Sequence, residues 1–288
     1  DTAIPHIPVT AHGLKENGYA TIATTNWLPY SWSVNNIAFA EVMHTALSYF
    51  QAGRAEAGYK LLKSSVLDGM YLGDSPGNFG QISFYDAARG ECYRDFGDPI
   101  GVASRVLIQG LFGILPDALN QQIILRPGFP DDWDKASVST PDISYRFTRK
   151  EDTDTYHITQ RFQTPLHPVL QINARKEKIR SVKVNGVPAT WQSIESAHGY
   201  PLLSIQAEGT SSTTITIEWE GASLHTLAVQ ELVIASNGKL ALQIPSGASI
   251  SQVYDPQSVL AKHTVEATAF NAQLKGEPGH HTFFVFTH

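Results

Sequence analysis

Two stretches of the chain hold the side chains best suited to chemistry. The first, Asn26-Trp27-Leu28-Pro29-Tyr30-Ser31-Trp32-Ser33, packs three large aromatics into one short segment. Flat rings of this kind lie against the apolar C–H faces of sugars while polar neighbours take the hydroxyls. Trp27, Tyr30 and Trp32 would serve equally well as core anchors, and both readings stay open. The second stretch, 70–100, is punctuated by Gly73, Pro76, Gly77, Gly80, Gly90, Gly97 and Pro99. A loop this long inside a compact domain is usually functional or disordered. Its aromatics, among them Tyr71, Phe84, Tyr85, Tyr93 and Phe96, argue against disorder. It carries Glu91, Asp95 and Asp98, whose carboxyls could exchange protons or simply face solvent. Asp98, placed before Pro99, also suits a helix N-cap or a turn. The planar fork of Arg94 could grip a carboxylate or a sugar hydroxyl, or form an ordinary salt bridge.

Other chemistries are poorly served. The chain has one cysteine, Cys92, so neither an intrachain disulfide nor a thiolate zinc cluster can form. His280 and His281 are adjacent, but neighbours on a strand point to opposite faces, so no metal is expected there. No acidic loop is dense enough to hold calcium. Gly110-Leu111-Phe112-Gly113 lies in apolar sequence without the Lys-Ser/Thr of a phosphate loop. No cofactor is expected. The formal net charge of -6, with no long basic run, argues against a nucleic-acid partner. No run of about 18 apolar residues occurs, so no membrane-spanning helix is expected.

The elements that must position these residues change character along the chain. With 42% hydrophobic and 17% charged residues the chain is globular, and its 288 residues suffice for two or three domains. Val34, Ile37, Ala38, Val42, Ala46, Leu47 and Phe50 recur at steps of three and four, the mark of a helix with one buried face. Asn35 and Asn36 are candidate caps, and Gly53 should end the helix in the left-handed conformation. A second run, Ala57 to Ser65 with Gly69 as its stop, predicts an αα-hairpin over 34–69. A further helix is predicted over 101–115. Gly110 and Gly113 cost it about 1 kcal/mol each, which close backbone approach to a neighbour would offset.

After Pro116 the helical period disappears. Short alternating runs predict strands at 121–126, 143–149, 155–162, 168–175, 179–184, 213–219, 227–234, 239–244, 250–254, 263–270 and 281–287. Turn signals such as Asn185-Gly186, Asn237-Gly238 and Pro278-Gly279 separate them. Many short strands so spaced mean antiparallel β-sandwiches. Trp133, Trp191 and Trp219 are expected in their core. The expected divisions are a helical part over 1–119, a β-sandwich over 120–221 and a further β module over 222–288.

The run from Gly90 to Thr140 resembles the barrel-to-sandwich junction of the six-hairpin glycosidases. Gly113-Ile114-Leu115-Pro116, Arg126-Pro127-Gly128-Phe129-Pro130 and Trp133 carry the likeness. α-L-Rhamnosidases are the nearest comparison, along with large glycosidase-like proteins of gut Bacteroidetes. The resemblance covers roughly residues 20–220. It implies an α+β multidomain fold in which the closing αα-hairpins of an alpha/alpha six-hairpin barrel lead into antiparallel β-sandwich modules. It also implies a glycoside hydrolase, inverting, acting on a poly- or oligosaccharide in the periplasm or outside the cell. In such enzymes a base carboxylate precedes the last inner helix, and Glu91 stands at the matching position, with Asp98 as its substitute. Here Gly90 and Cys92 flank the glutamate where the family has a tryptophan. Trp27, Tyr30, Trp32, Tyr93 and Arg94 are then candidate substrate contacts. The predicted helices are too few for six hairpins, so an N-terminal barrel portion carrying the general acid is expected upstream. A non-catalytic carbohydrate-binding protein is the alternative.

Overall fold

The computed structural model describes residues 6–8, 20–22, 37–72, 84–86, 91–93, 97–194, 201–224, 232–244, 249–279 and 281–287. They form two compact units, Asp1–Leu224 and His225–His288.

Helix α1 spans Phe39–Gln51 and buries Phe39, Val42, Met43, Ala46, Leu47 and Phe50 on one face. Glu41, His44 and Ser48 form its exposed stripe. The helix ends as its sequence demands: Gly53 takes φ +73°, its N–H bonds Phe50 O at 3.0 Å, and Arg54 N–H bonds Tyr49 O at 2.9 Å. This is a Schellman stop, open to glycine because it has no Cβ to clash. The residue ahead of Phe39 is extended Ala38, which supplies no side-chain cap; Asn35 and Asn36 lie outside the described residues. Helix α2, Ala55–Val66, returns at once and runs on in π-helical geometry over Leu67–Leu72. Helix α3, Asp98–Arg105, continues in the same way over Val106–Leu111.

The fold-class expectation is corrected here. Strands make up 46% of the structure, and the described residues hold three short helices and no ring of hairpins. No alpha/alpha barrel is present among them. In a barrel the apolar stripe of α1 would be covered by further hairpins. Instead it joins one continuous core with α2, the segment 106–111 and two β-sheets.

The joint between helices and sheets is made of glycine. Cβ atoms built at Gly58, Gly110 and Gly128 would lie 3.0, 2.7 and 2.4 Å from the Phe50 ring. Three segments therefore close on one ring, each through a residue without a side chain. Gly113, predicted within a helix, lies beyond it with φ +64°, and a Cβ there would fall 1.9 Å from Arg126 O. Its freedom serves a tight return: Arg126 N–H bonds Gly113 O at 2.8 Å, and Gly128 N–H bonds Leu111 O at 3.0 Å. The helix predicted to residue 115 stops for this reason, and Ile114–Asp117 is a strand.

That strand, β1, opens a sandwich. The others are β2 Gln122–Leu125, β3 Lys135–Ser139, β4 Ile143–Lys150, β5 Thr153–Gln160 and β6 His167–Asn173. There follow β7 Lys176–Val184, β8 Val187–Pro188, β9 Gln192–Ile194, β10 Leu202–Gln206 and β11 Ser212–Ser223. One sheet has the order β8-β7-β11-β5-β4-β3, the other β9-β10-β6-β2-β1. Inward residues alternate along each strand, as in Ile143, Tyr145 and Phe147 or Ile215, Ile217 and Trp219. Strands β2 and β6 run parallel, joined by a crossover that passes through β3, β4 and β5 of the opposite sheet. The predicted Asn185-Gly186 hairpin forms, with φ +51° and +81° at the two positions.

Phe129 follows the Phe50 contact and carries it into the sandwich. Its ring lies 5.4 Å from Phe112, 5.2 Å from Phe147 and 6.1 Å from Trp133. Trp133 meets Tyr59 of α2 edge-on at 5.0 Å, and Glu56 of α2 accepts from Asp131 N–H at 2.8 Å. Trp219 is core as expected. Trp191 is not: it is 44% exposed, ahead of edge strand β9.

The second unit has strands β12 Lys239–Gln243, β13 Ile250–Tyr254, β14 Leu260–Val265, β15 Ala269–Leu274 and β16 Phe284–Thr287. Sheet β12-β15-β14 and ribbon β13-β16 contribute to a separate core around Leu240, Val259, Leu260 and Phe270. The single strand predicted over 263–270 is two strands, with the turn falling inside it.

Gly128→Ala should cost about 2–3 kcal/mol, because the added methyl drives into a closed ring contact. Pairing it with Phe50→Leu should cost less than the sum of the two single changes, by about 1 kcal/mol or more. Urea unfolding of the four proteins checks this; strict additivity would mean that the ring and Gly128 do not press on each other.

Candidate functional site

Glu91 opens a three-residue strand, Glu91–Tyr93, in the stretch expected to be loop. This strand pairs antiparallel with Phe84–Asp86, which pairs in turn with Ile37–Ala38 at the start of α1. Glu91 stands directly opposite Asp86 in the register, and Tyr93 opposite Phe84. Asp86 was missed by sequence reasoning, since nothing in a glycine-punctuated stretch announced that its ends would pair. Asp98 is exposed in the first turn of α3, where a negative charge suits the positive end of the helix dipole. It is not the N-cap: Gly97 occupies that position, with no side-chain cap bond, and Pro99 follows inside the helix. Trp27, Tyr30, Trp32 and Arg94 lie outside the described residues, as does Asp95.

The sandwich holds a buried charge that the sequence reading passed over. Asp154 is 2% exposed at an inward position of β5. Its Oδ1 accepts from Arg149 Nε at 3.0 Å, and its Oδ2 accepts from Trp219 Nε1 at 2.9 Å. Arg175 Nε lies 3.3 Å from Oδ2 but is not aligned for a hydrogen bond, so it contributes charge alone. A carboxylate enclosed by two guanidiniums and an indole N–H has no open face for a substrate. Its role is to pin β5, β4 and β11 together, and removing one partner of such a set is far costlier than never having built it. The predicted strand begins at 155, one residue too late to place Asp154 on the core-facing side, where a charge needs a partner.

Two tyrosines lie next to it. Burial, and then the neighbouring Tyr156, raise the pKa of Tyr145 well above the usual phenol value. Burial, and then the negative charge of Asp154, raise that of Tyr156. The rings stack with centroids 6.4 Å apart. The hydroxyl of Tyr145 is buried without a hydrogen-bond partner among the described residues. These phenols belong to packing; neither reaches a cleft.

His281, one of the adjacent pair, bonds the carbonyl of Glu277 at 2.8 Å; His280 lies outside the described residues. Among the described residues no group of three His, Cys, Asp or Glu side chains is arranged to hold a metal ion. No helix among them is long and apolar enough to cross a membrane.

No family model matches the sequence, and no curated protein matches it significantly. Solved structures with some likeness are glycoside hydrolases. The α-L-rhamnosidase of Streptomyces avermitilis, solved with L-rhamnose, is 14% identical with a TM-score of 0.39, over 62% of this chain and 18% of that one. The α-L-rhamnosidase of Dictyoglumus thermophilum is 12% identical with a TM-score of 0.39, over 63% and 21%. A GH127 β-L-arabinofuranosidase of Geobacillus stearothermophilus T6 is 10% identical with a TM-score of 0.29, over 83% and 47%. The chain thus spans about a fifth of the two rhamnosidases. Likeness of this strength determines neither a fold family nor an activity.

Tyr145→Phe removes a buried hydroxyl that has no partner, so it should leave stability unchanged or raise it by up to about 1 kcal/mol. The sign with pH follows from the raised phenols. Below pH of about 10 both folded and unfolded chains keep these protons. Above it the unfolded chain loses them first, so stability falls as pH rises. Tyr145→Phe should flatten that alkaline fall, measured by urea unfolding across pH; an unchanged slope would count against the assignment.

Proposed function

We propose that this chain is part of a glycoside hydrolase that cleaves O-glycosidic bonds of oligo- or polysaccharides, with Glu91 as general base. The observation that carries the reading is the placement of Glu91 at the head of a paired strand, on the sheet that also leads into α1 and shortly ahead of α3. A base must sit at a fixed point relative to the sugar, and paired backbone gives that where a free loop would not. The sequence likeness of Gly90–Thr140 to six-hairpin glycosidases is the second support.

In this reading Glu91 takes a proton from the water that attacks the anomeric carbon. A general acid on the opposite face, contributed by sequence upstream of this chain, protonates the departing oxygen. Inversion results, and it requires carboxyls separated by about 6.5–9.5 Å. Asp98 is the substitute base, Tyr93 and Arg94 contact the sugar beside Glu91, and Trp27, Tyr30 and Trp32 offer ring faces to it. The substrate is a carbohydrate met outside the cytoplasm.

The test is hydrolysis of a panel of aryl glycosides by the whole gene product. Glu91→Gln should lower kcat by about 10²- to 10⁴-fold, the range of a lost general base, with near-UV circular dichroism unchanged. Asp98→Asn should cost far less. Full activity in Glu91→Gln would remove the assignment.

A further inference from the structure

We propose that the end of the β-sandwich formed by β2, β6, β10 and the β7–β8 hairpin is a binding site for a single neutral sugar residue, separate from the Glu91 end. A cavity of about 320 Å³ opens there, at the small end of the usual range of ligand pockets, about 300–1,000 Å³. Four polar side chains line it: Gln122, His167, Gln206 and Glu208. Among the described residues, the amides of Gln122 and Gln206 make no hydrogen bond, so their donors and acceptors are available to a ligand.

His167 is oriented by a backbone hydrogen bond. Its Nδ1 accepts from Gly209 N–H at 3.0 Å, which places the proton of the neutral ring on Nε2. Glu208 lies 3.6 Å from the same Nδ1. That contact is no ion pair while Nδ1 accepts, and the carboxylate, 91% exposed, can accept hydrogen bonds from hydroxyls. The site therefore offers two amides that both give and take hydrogen bonds, one N–H donor and one strong acceptor. Hydroxyls, which also give and take, are the matching chemistry. No lysine or arginine lines the cavity, and Glu208 would repel an anion, so phosphates and acidic ligands are disfavoured. Val169, Val184 and Pro188 form an apolar wall suited to the C–H face of a ring.

The frame is built to hold this shape. Buried Gln160 reaches across from β5: its Nε2 donates to Leu166 O at 2.8 Å and to Thr210 O at 3.3 Å, and its Oε1 accepts from Leu166 N–H at 3.0 Å. One amide thus ties the segment entering His167 to the segment leaving Glu208. His167 N–H bonds Gln121 O and Ala207 N–H bonds Pro168 O, at 2.8 and 2.9 Å. Gly209 sits where a Cβ would fall 2.9 Å from Pro165 O, so the loop closes against the segment leading into β6 without a side chain between.

The experiment is a two-dimensional amide NMR titration of the whole chain with the methyl pyranosides of glucose, galactose and rhamnose, and with inorganic phosphate as the anionic control. At least one glycoside should shift the amides of Gln122, His167, Gln206, Glu208 and Gly209 saturably, while phosphate should not. Gln206→Ala and Glu208→Gln, both on exposed side chains, should each weaken binding about three- to tenfold, the range of one net hydrogen bond. Glu91→Gln should bind as the parent does, which separates this site from the catalytic reading: loss of hydrolysis with binding intact leaves the present inference standing. No saturable shift at the solubility limit of all three glycosides would overturn it. So would saturable shifts that leave these five amides unmoved, unchanged affinity in both variants, or tighter binding of phosphate.

Discussion

The ring of Phe50 is where helix and sandwich become one body. It comes from the last turn of α1 and is met by Gly58 of α2, Gly110 of the segment after α3, and Gly128 of the turn entering the sandwich. At Gly110 and Gly128 a Cβ would fall closer to the ring than side chains come, and at Gly58 it would make a tight contact at 3.0 Å. Glycine costs conformational entropy in the unfolded chain and weakens a helix, so three of them on one ring need a return. The return is continuity of core: the buried face of α1 runs without a gap into the aromatic file of Phe112, Phe129, Tyr145 and Phe147. A helical hairpin of two short helices would be marginal alone. Docked through this joint, it has the sandwich as its second layer.

That joint also reassigns the motif on which the family likeness rests. Gly113 is needed for a left-handed turn against Arg126 O, Gly128 for the Phe50 contact, Phe129 and Trp133 for the aromatic file. All are packing roles, required of any chain that hands a helical hairpin to a β-sandwich this way. Such residues can be shared by proteins with the same joint and different chemistry, because sites are grafted on folds and are not implied by them. The motif therefore speaks for the joint first. The hydrolase reading then stands first on Glu91, whose place at the head of a paired strand the joint does not explain.

How far the site was legible follows the same line. Glu91 and Asp98 were visible as acidic residues in a punctuated stretch, but pairing of Glu91 with Asp86 depends on two short strands whose register no alternation signals. Asp154 falls one residue ahead of the strand predicted over 155–162, and its inward position shows only because the strand begins at Thr153. Gln122, Gln206 and Glu208 carried no signal at all. Glutamines at a strand start and a strand end look like solvated rim until the fold shows that β2, β6 and β10 bring them to one cavity. Gln160, the same residue type, is buried with its amide fully engaged. Composition cannot separate the two cases; only the accounting of hydrogen bonds does.

The fold was legible to the extent that period determines it. Period two located most sandwich strands within a few residues, because alternate side chains must face a core on one side of each sheet. Period 3.6 located α2 and the body of α1, although Ile37 and Ala38, counted in the α1 stripe, are strand. What it could not supply was the identity of the covering layer. A stripe of Val42, Ala46 and Phe50 states that one helix face is dry, and a ring of hairpins or a sheet edge would dry it alike. The distinguishing marks were the glycines, which permit approach closer than helix–helix packing between ordinary side chains allows. In the sequence Gly110 and Gly113 predict a helix in close approach to a neighbour. They mark a helix ending, a turn closing on Arg126, and a β layer beginning, so the strand pairing that follows, not further hairpins, completes the core.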